Sequence, residues 1–308
     1  MSKYQIGSFI KMKREELGLT QEELADGIIS VASLSRIENG GRTPRKENLQ
    51  SILQRLGYSD SVVNNFSEKE DLSIYLMRYE LRQAYIMNDH KKAELILSEL
   101  KSAPGELSPV DRQVYEEIDT LLKLNKKEIS NKEALERFEN ALKLTCPKYT
   151  RDNLPKFLTY EEILILNNIA LRLNYEGYSD KTIEILYHIK NYYDKHICDI
   201  EEALRTQPMV LYNLSKFLGL AGKFDESISV CNQGIKLARD TGRCSHLAKT
   251  LYNLARDLYE RNEPGDREAS KYNALQAYYL AVALKKEKSA MHYKEFLIEN
   301  FKSNLFSL

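Results

Sequence analysis

The chain has 308 residues, which is enough for about two domains. Its 45 Lys and Arg residues balance 45 Asp and Glu residues, so the net charge at pH 7 is zero. A neutral chain is not held to DNA or to an anionic membrane by its overall field, and any contact with nucleic acid must be local. A hydrophobic content of 43% excludes an intrinsically disordered protein.

The composition favours a helical protein outside the membrane. The chain contains only 13 Gly and 7 Pro residues, about half the usual share of these turn formers. No apolar run reaches the roughly 18 residues that cross a bilayer, and the first residues carry no apolar signal segment. We therefore expect an all-α, cytoplasmic protein with no membrane partner.

The cysteines predict neither a disulfide framework nor a metal site. They form no CxxC motif and stand far apart, at Cys146, Cys198, Cys231 and Cys244, so we expect reduced thiols. The nearest approach to a metal cluster is His188, His196 and Cys198, whose spacing fits no zinc pattern. We predict ordinary helix residues here, with no metal and no cofactor.

The first 62 residues predict a bundle of four helices. The first helix ends at Gly18, a residue suited to a left-handed C-terminal cap. Thr20 and Glu23 form a capping-box pattern at the start of the second helix. The third helix is predicted from Ser30 to Asn39, and the fourth follows Thr43-Pro44. Apolar residues at helical spacing predict the core, including Leu24, Leu34, Ile37, Leu49, Ile52 and Leu53.

Two segments of this bundle resemble a known DNA-binding family. GLTQEELA (18–25) and LSRIENG (34–40) are similar to the repressor-type (Cro/C1, or XRE) helix-turn-helix. The resemblance implies that the third helix enters the major groove while the second crosses the backbone. The DNA-contact residues that follow by position, including two cations near the fourth helix that we expect to touch phosphates, are Gln21, Ser30, Val31, Ala32, Ser33, Ser35, Arg36, Arg42 and Lys46.

Two polar residues have more than one interpretation at this stage. Gln21 either binds phosphate or braces the recognition helix, and Glu38 either braces that helix or touches DNA. The first 60 residues hold nine basic and eight acidic groups, so a single copy should bind DNA weakly. We therefore predict a homodimer whose two copies reach half-sites about one helical turn apart.

The remainder of the chain predicts paired helices that repeat. The segments 165–173, 210–218 and 250–258 share an Asn, a large aliphatic residue and then Ala or Ser. GKFDESI (222–228) resembles the turn of a tetratricopeptide (TPR) repeat. We predict five helix pairs and a final helix, at 70–101, 107–145, 159–196, 205–241, 244–284 and 287–304. The fold class is thus an N-terminal helix-turn-helix bundle followed by a TPR-like α-solenoid.

The first helix of each pair should line a concave wall that binds a peptide. An Asn side chain offers both a donor and an acceptor to a peptide backbone, although Asn at this place also serves packing in TPR repeats. We predict peptide contacts from the three repeated asparagines, from two cations suited to a carboxylate, and from two rings suited to side-chain pockets: Asn168, Asn213, Asn253, Lys216, Arg256, Tyr212 and Tyr252.

The order of these parts resembles the RRNPP (Rgg/PlcR-type) regulators of Gram-positive bacteria. The resemblance implies a cytoplasmic homodimer that binds promoter DNA and takes a short signalling peptide in the solenoid groove. We predict a DNA-binding domain at 1–62, a linker at 63–70 and a peptide-binding and dimerisation domain at 71–308. Residues 57–71 are polar and poor in helix formers, and we hypothesise that this hinge transmits the signal.

Other classes of function share part of this pattern. A helix-turn-helix regulator whose solenoid recruits a protein would show every motif above. An adaptor that kept the small domain for a protein contact is a further possibility. An enzyme is disfavoured, because the sequence has no HExxH, P-loop, GxSxG or glycine-rich dinucleotide motif.

Overall fold

The computed structural model of the protein describes residues 6–42, 44–56, 72–101, 107–195 and 200–301. The regular elements within these ranges are helices, joined by turns and one isolated β-bridge between Thr150 and Asn153. The predicted all-α fold class is therefore confirmed. The predicted linker and hinge lie outside the described residues, as do Thr43, His196 and Cys198.

The chain divides into two compact units, Met1–Ile129 and Ser130–Leu308. The helices described in the first unit are α1 (Ile6–Glu16), α2 (Gln21–Ala25), α3 (Val31–Glu38), α4 (Lys46–Arg55), α5 (Leu72–Ile86), α6 (His90–Lys101) and α7 (Pro109–Asn125). Those described in the second are α8 (Asn131–Lys143), α9 (Tyr160–Tyr175), α10 (Ser179–Lys195), α11 (Ile200–Leu220), α12 (Phe224–Thr241), α13 (Leu247–Arg261), α14 (Asp266–Ala283) and α15 (Glu287–Phe301).

Local sequence signals place the helix ends of the bundle α1–α4. Gly18 adopts a φ of 67° after α1, a conformation that costs glycine little. The Thr20 side chain accepts from the Glu23 amide while the Glu23 carboxylate accepts from the Thr20 amide, which completes the capping box of α2. The Ser30 side chain also caps α3 by accepting from the Ser33 amide. The predicted caps at Gly18 and Thr20 are confirmed, and the cap at Ser30 is a further finding of the structure.

The core of the bundle includes a residue from beyond the predicted linker. Apolar side chains of α1–α4 pack around Leu34 and Ile37 of α3, and Leu76 of α5 is fully buried in the same cluster. Tyr79 of α5 packs against it. The first compact unit therefore extends past the predicted domain boundary, because α5 completes the apolar surface that the four short helices leave uncovered.

Helix pairs in the second unit are joined by a recurring hydroxyl contact. Thr182 of α10 donates to the Ala170 carbonyl of α9 at 2.9 Å. Ser227 of α12 donates to the Ser215 carbonyl of α11 at 2.7 Å, and Ser270 of α14 to the carbonyl of Ala255 of α13 at 2.6 Å. The three carbonyls belong to the small residue that repeats in the sequence, so a small side chain there lets the second helix reach the backbone of the first.

The first helices of successive pairs lie side by side. Helix α9 contacts α11, and α11 contacts α13, while each packs against the second helix of its own pair. This arrangement agrees with the predicted TPR-like stacking in the second unit. Every helix in the described ranges is too short or too polar to span a bilayer.

Gly7 permits the closest approach between α1 and α3. A Cβ atom built on Gly7 would lie 1.7 Å from the Ile37 carbonyl oxygen, well inside van der Waals contact. We expect Gly7→Ala to push α1 away from the recognition helix and to lower the free energy of unfolding by about 1–3 kcal/mol or more. Hydrogen exchange of the α3 amides measures this effect, and Ser8→Ala on the same helix is the control. Equal protection in both variants would contradict the close-approach argument.

Candidate DNA-reading and peptide-binding sites

The predicted reading face lies on the first two turns of α3. Val31 is 43% exposed, Ala32 and Arg36 are exposed, and Ser33 and Ser35 are half-buried. Small side chains allow a helix to sit deep in a groove, and a longer Arg reaches a base edge or phosphate. Arg36 has no ion pair with any residue that the structure describes. Its guanidinium is therefore available to an external anion.

A buried network holds the other end of α3. The Arg14 guanidinium of α1 donates to both carboxylate oxygens of Glu38, at 2.7 and 3.0 Å. The Gln21 amide donates to Glu38 Oε2 at 2.6 Å, and Arg14 also donates to the Leu19 carbonyl at 2.8 Å. The hydrogen bonds to Glu38 raise the pKa of Arg14 against the opposing effect of burial.

This geometry decides between the two interpretations of Gln21 and Glu38. The Glu38 side chain is completely buried, so it braces the recognition helix. Gln21 is half-buried and donates to that carboxylate, which is the bracing role considered for it. A direct contact between Gln21 and phosphate stays a prediction. Sequence reasoning missed Arg14, because Glu38 lies 24 positions away and its burial is known only from the structure.

Further cations follow α3 along the chain. Arg42 is exposed after the end of α3, and Lys46 begins α4, although its side chain lies outside the described set. Arg55 at the end of α4 donates to the carbonyls of Glu23 and Leu24, at 3.1 and 3.0 Å. Both carbonyls belong to the last turn of the five-residue helix α2. Arg55 therefore stabilises a helix that is too short to be stable by itself.

Helix α5 is joined to the bundle by an ion pair as well as by apolar packing. Lys13 of α1 contacts Glu80 of α5 at 3.0 Å and Glu16 at 2.8 Å. Burial lowers the pKa of Lys13, but the hydrogen bonds to Glu16 and Glu80 outweigh it and raise the pKa overall. The charged form of Lys13 therefore stabilises the contact between the helix-turn-helix bundle and α5.

Two of the repeated asparagines connect neighbouring first helices. Asn213 of α11 donates to the side-chain oxygen of Asn167 in α9 at 2.8 Å. Asn253 of α13 donates to the Tyr212 carbonyl at 3.2 Å and to the Ser215 hydroxyl at 2.9 Å, both in α11. Their exposed fractions are 6% and 4%. The geometry therefore gives these two amide groups a structural role, and peptide contact by them stays a prediction.

Asn168 differs from its two counterparts. It is half-buried on α9, and the residue that bonds to Asn213 is the preceding Asn167. A sequence alignment places Asn168 beside Asn213 and Asn253 but does not show which amide spans the helices. Contact between Asn168 and a peptide stays a prediction.

The predicted rings and cations come together on α11 and α13. Tyr212, Lys216, Tyr252 and Arg256 are all half-buried. Burial, opposed by the charge of Arg256, raises the pKa of Tyr212 and of Tyr252, and burial followed by Arg256 lowers the pKa of Lys216. These effects place the Arg256 guanidinium near all three groups.

Arg256 is already paired within the protein. Its guanidinium donates to Asp257 at 2.6 and 2.8 Å, and Asp257 also accepts from Ser227 of α12. Burial raises the pKa of Asp257, against the lowering effect of Arg256. Gly219 of α11 makes room for the pair, since a Cβ there would lie 2.1 Å from Arg256 Nη2.

The Glu38 network should be essential to the helix-turn-helix bundle. Glu38→Ala leaves Arg14 buried without its partner, and we expect a loss of about 3–5 kcal/mol in the free energy of unfolding. Urea unfolding followed by circular dichroism, with hydrogen exchange at α3, measures the loss. Glu15→Gln is the matched control, because Glu15 is the exposed partner of the same Arg14; we expect a change within about 0.5 kcal/mol. Similar values for the two variants would contradict the bracing role.

The Asn213–Asn167 hydrogen bond should contribute to stability without any peptide. In a double-mutant cycle of Asn213→Ala and Asn167→Ala, we expect a coupling of about 0.5–1.5 kcal/mol in the ligand-free protein. Thermal unfolding of the two single variants and the double variant measures it. A coupling of zero without peptide would contradict the structural role and favour a role in ligand contact.

Comparison with known proteins agrees with this architecture. Residues 10–63 match the HTH_3 helix-turn-helix family. No curated protein sequence matches the chain. Among solved structures, Bacillus thuringiensis PlcR in complex with the peptide PapR7 and DNA is similar, with a TM-score of 0.61 and 21% identity over 96% of this chain and 99% of that chain.

Two streptococcal structures are similar over almost the same extent. The Streptococcus dysgalactiae SHP pheromone receptor Rgg2 has a TM-score of 0.52 and 15% identity, covering 95% of this chain and 98% of that chain. ComR from S. thermophilus, in complex with DNA and its signalling peptide ComS, has a TM-score of 0.50 and 16% identity, covering 96% and 99%. The predicted resemblance is thus confirmed: the chain carries an HTH_3 helix-turn-helix in residues 10–63 and shares the fold of PlcR, Rgg2 and ComR over nearly its whole length.

Proposed function

We propose that the protein is a DNA-binding transcriptional regulator controlled by a short signalling peptide. The observation that carries this proposal is a braced recognition helix with an exposed reading face, on a fold shared with PlcR solved with PapR7 and DNA. The helix-turn-helix reads promoter DNA through α3, and the wall of α9, α11 and α13 binds the peptide. The protein acts by binding rather than by catalysis.

The residues of the reading face have different roles in binding DNA. Val31, Ala32 and Ser35 are small enough to follow the groove floor, while Arg36 supplies a long cationic side chain. Arg42 and Lys46 contact phosphates and position the helix without reading the sequence. A near-neutral bundle gives little nonspecific affinity, so two copies in a cytoplasmic homodimer supply what one lacks.

Peptide binding controls DNA affinity by favouring one arrangement of the dimer. A coupling of about 1–3 kcal/mol between the two sites changes DNA affinity about 5- to 150-fold. The peptide needs only to bind one arrangement better than the other. The half-buried groups on the wall, Tyr212, Lys216 and Tyr252, together with Asn168, are the contacts we propose for it.

Fluorescence anisotropy with a duplex from the region upstream of the gene tests the proposal. We expect salt-dependent binding that Arg36→Ala weakens by about 5- to 150-fold, since a base contact of this kind contributes about 1–3 kcal/mol. Arg239→Ala, which removes an exposed cation of α12 in the second unit, is the control and should bind like the wild type.

The second part of the experiment adds synthetic peptides encoded by short reading frames beside the gene. One of them should shift DNA affinity within the range given above. The proposal is overturned if the duplex is not bound at low ionic strength, with or without these peptides. Binding of DNA with no response to any peptide, together with capture of a protein by the second unit, would favour recruitment of a protein partner instead.

A further inference from the structure

The exposed side of the recognition helix begins with apolar side chains. Val31 and Ala32 are the first two residues of α3, and both are exposed. Val31 is 43% exposed and is the one exposed large apolar side chain in the described part of α2–α4. A helix that reads DNA contacts base edges with its N-terminal residues. The apolar pair therefore lies where contact with bases is expected.

The buried side of α3 fixes this exposure. Leu34 and Ile37 are 0% and 2% exposed in the core of the bundle, and Arg14 holds Glu38 through two hydrogen bonds. A rotation of α3 that hid Val31 would withdraw both core side chains and break the contact with Arg14. These losses exceed the gain from burying one valine side chain. Val31 therefore stays in water until another molecule covers it.

The hydroxyl groups beside the apolar pair are engaged in the helix cap. The Ser30 hydroxyl accepts from the Ser33 amide at 3.2 Å and donates to the Ser33 hydroxyl at 2.9 Å. Its single proton is therefore used within the first turn of α3. Ser35, one turn after Val31, can donate or accept and so favours no particular base. The first turn of α3 thus offers DNA methyl groups more than directed hydrogen bonds.

Thymine is the base that suits such a surface. In the major groove it alone carries a methyl group, whereas cytosine presents an amino donor and the purines present N7 and further polar atoms. Packing against the thymine methyl group removes apolar area of both partners from water. Packing against another base covers polar atoms to which neither Val31 nor Ala32 can donate or accept a side-chain hydrogen bond. The same side chains therefore favour thymine and disfavour the other bases.

We infer that Val31 and Ala32 form a methyl-reading patch that selects thymine in the DNA half-site. This inference rests on the proposed DNA-binding function and names the base that the function would read. Arg36 lies one turn after Ala32 on the exposed side of α3. Its guanidinium makes a charged contact with a base edge or a phosphate and is not part of the methyl contact.

Deoxyuridine substitution tests the patch, because deoxyuridine pairs like thymidine but lacks the 5-methyl group. The probe is the shortest fluorescent duplex from the upstream region that the full chain binds, with each thymine replaced in turn. We expect replacement at one or two positions per half-site to weaken binding about fourfold, the factor that corresponds to one buried methyl group. Replacement elsewhere should leave the affinity unchanged. Fluorescence anisotropy measures each affinity.

Variants of the patch show which residues read the methyl group. The double variant Val31→Ser/Ala32→Ser removes both apolar side chains from an exposed surface, and it should bind the thymine and deoxyuridine duplexes equally. Met12→Ser is the matched control, because Met12 is similarly exposed, at 46%, but lies on α1; it should keep the ratio of about four. Each ratio compares two duplexes with the same protein, so a change in the folded fraction cancels.

Either of two results with a bound duplex overturns the inference alone. If no thymine is sensitive to replacement, or if the ratio survives in the double variant, Val31 and Ala32 do not read a methyl group, while DNA binding itself still stands. If the full chain binds no upstream duplex at low ionic strength, with or without the peptides, both the methyl-reading patch and the proposed DNA-binding function are wrong.

Discussion

The buried contact between Arg14 and Glu38 sets the position of the recognition helix. Two charges out of water are stable only when they are paired and hydrogen-bonded, and here Gln21 and the Leu19 carbonyl complete the set. The contact joins α1, the start of α2 and the end of α3. The opposite end of α3 can therefore stay exposed and carry small side chains, because its orientation does not depend on them.

The second unit uses polar contacts for a comparable purpose. Asn213 and Asn253 each bind the preceding first helix, and Thr182, Ser227 and Ser270 each bind the backbone of their own pair. An apolar interface alone tolerates sliding, whereas a buried hydrogen bond that breaks leaves unsatisfied groups. These contacts define the register of the stack, so the groups that remain half-buried on the wall have defined places.

Local patterns predicted much of this structure. The capping box at Thr20 and the left-handed Gly18 depend on residues that are close together in the chain, and the sequence shows them directly. The helix pairs at 159–196, 205–241 and 244–284 followed from periodicity and from the repeated Asn and small residue. The predicted pair at 107–145, by contrast, is divided between the two compact units. Both the HTH_3 match and the likeness in fold agree with these patterns.

Contacts between distant residues were beyond the reach of the sequence. Arg14 and Glu38 are 24 positions apart, and no spacing rule links them. The repeated asparagines illustrate a different limit. The repeat in the sequence indicates that these asparagines occupy equivalent positions in successive helix pairs. Only the structure shows that the side-chain amides of Asn213 and Asn253 bind a neighbouring helix.

The packing of α5 on the helix-turn-helix has a consequence for protein engineering. A fragment cut at the predicted linker would lose Leu76 and Tyr79 and would leave a hole in the bundle core, and Lys13 would lose Glu80. Chimeras that exchange reading heads between such proteins should therefore transfer α5 together with α1–α4. A junction placed before α5 separates two surfaces that complete each other.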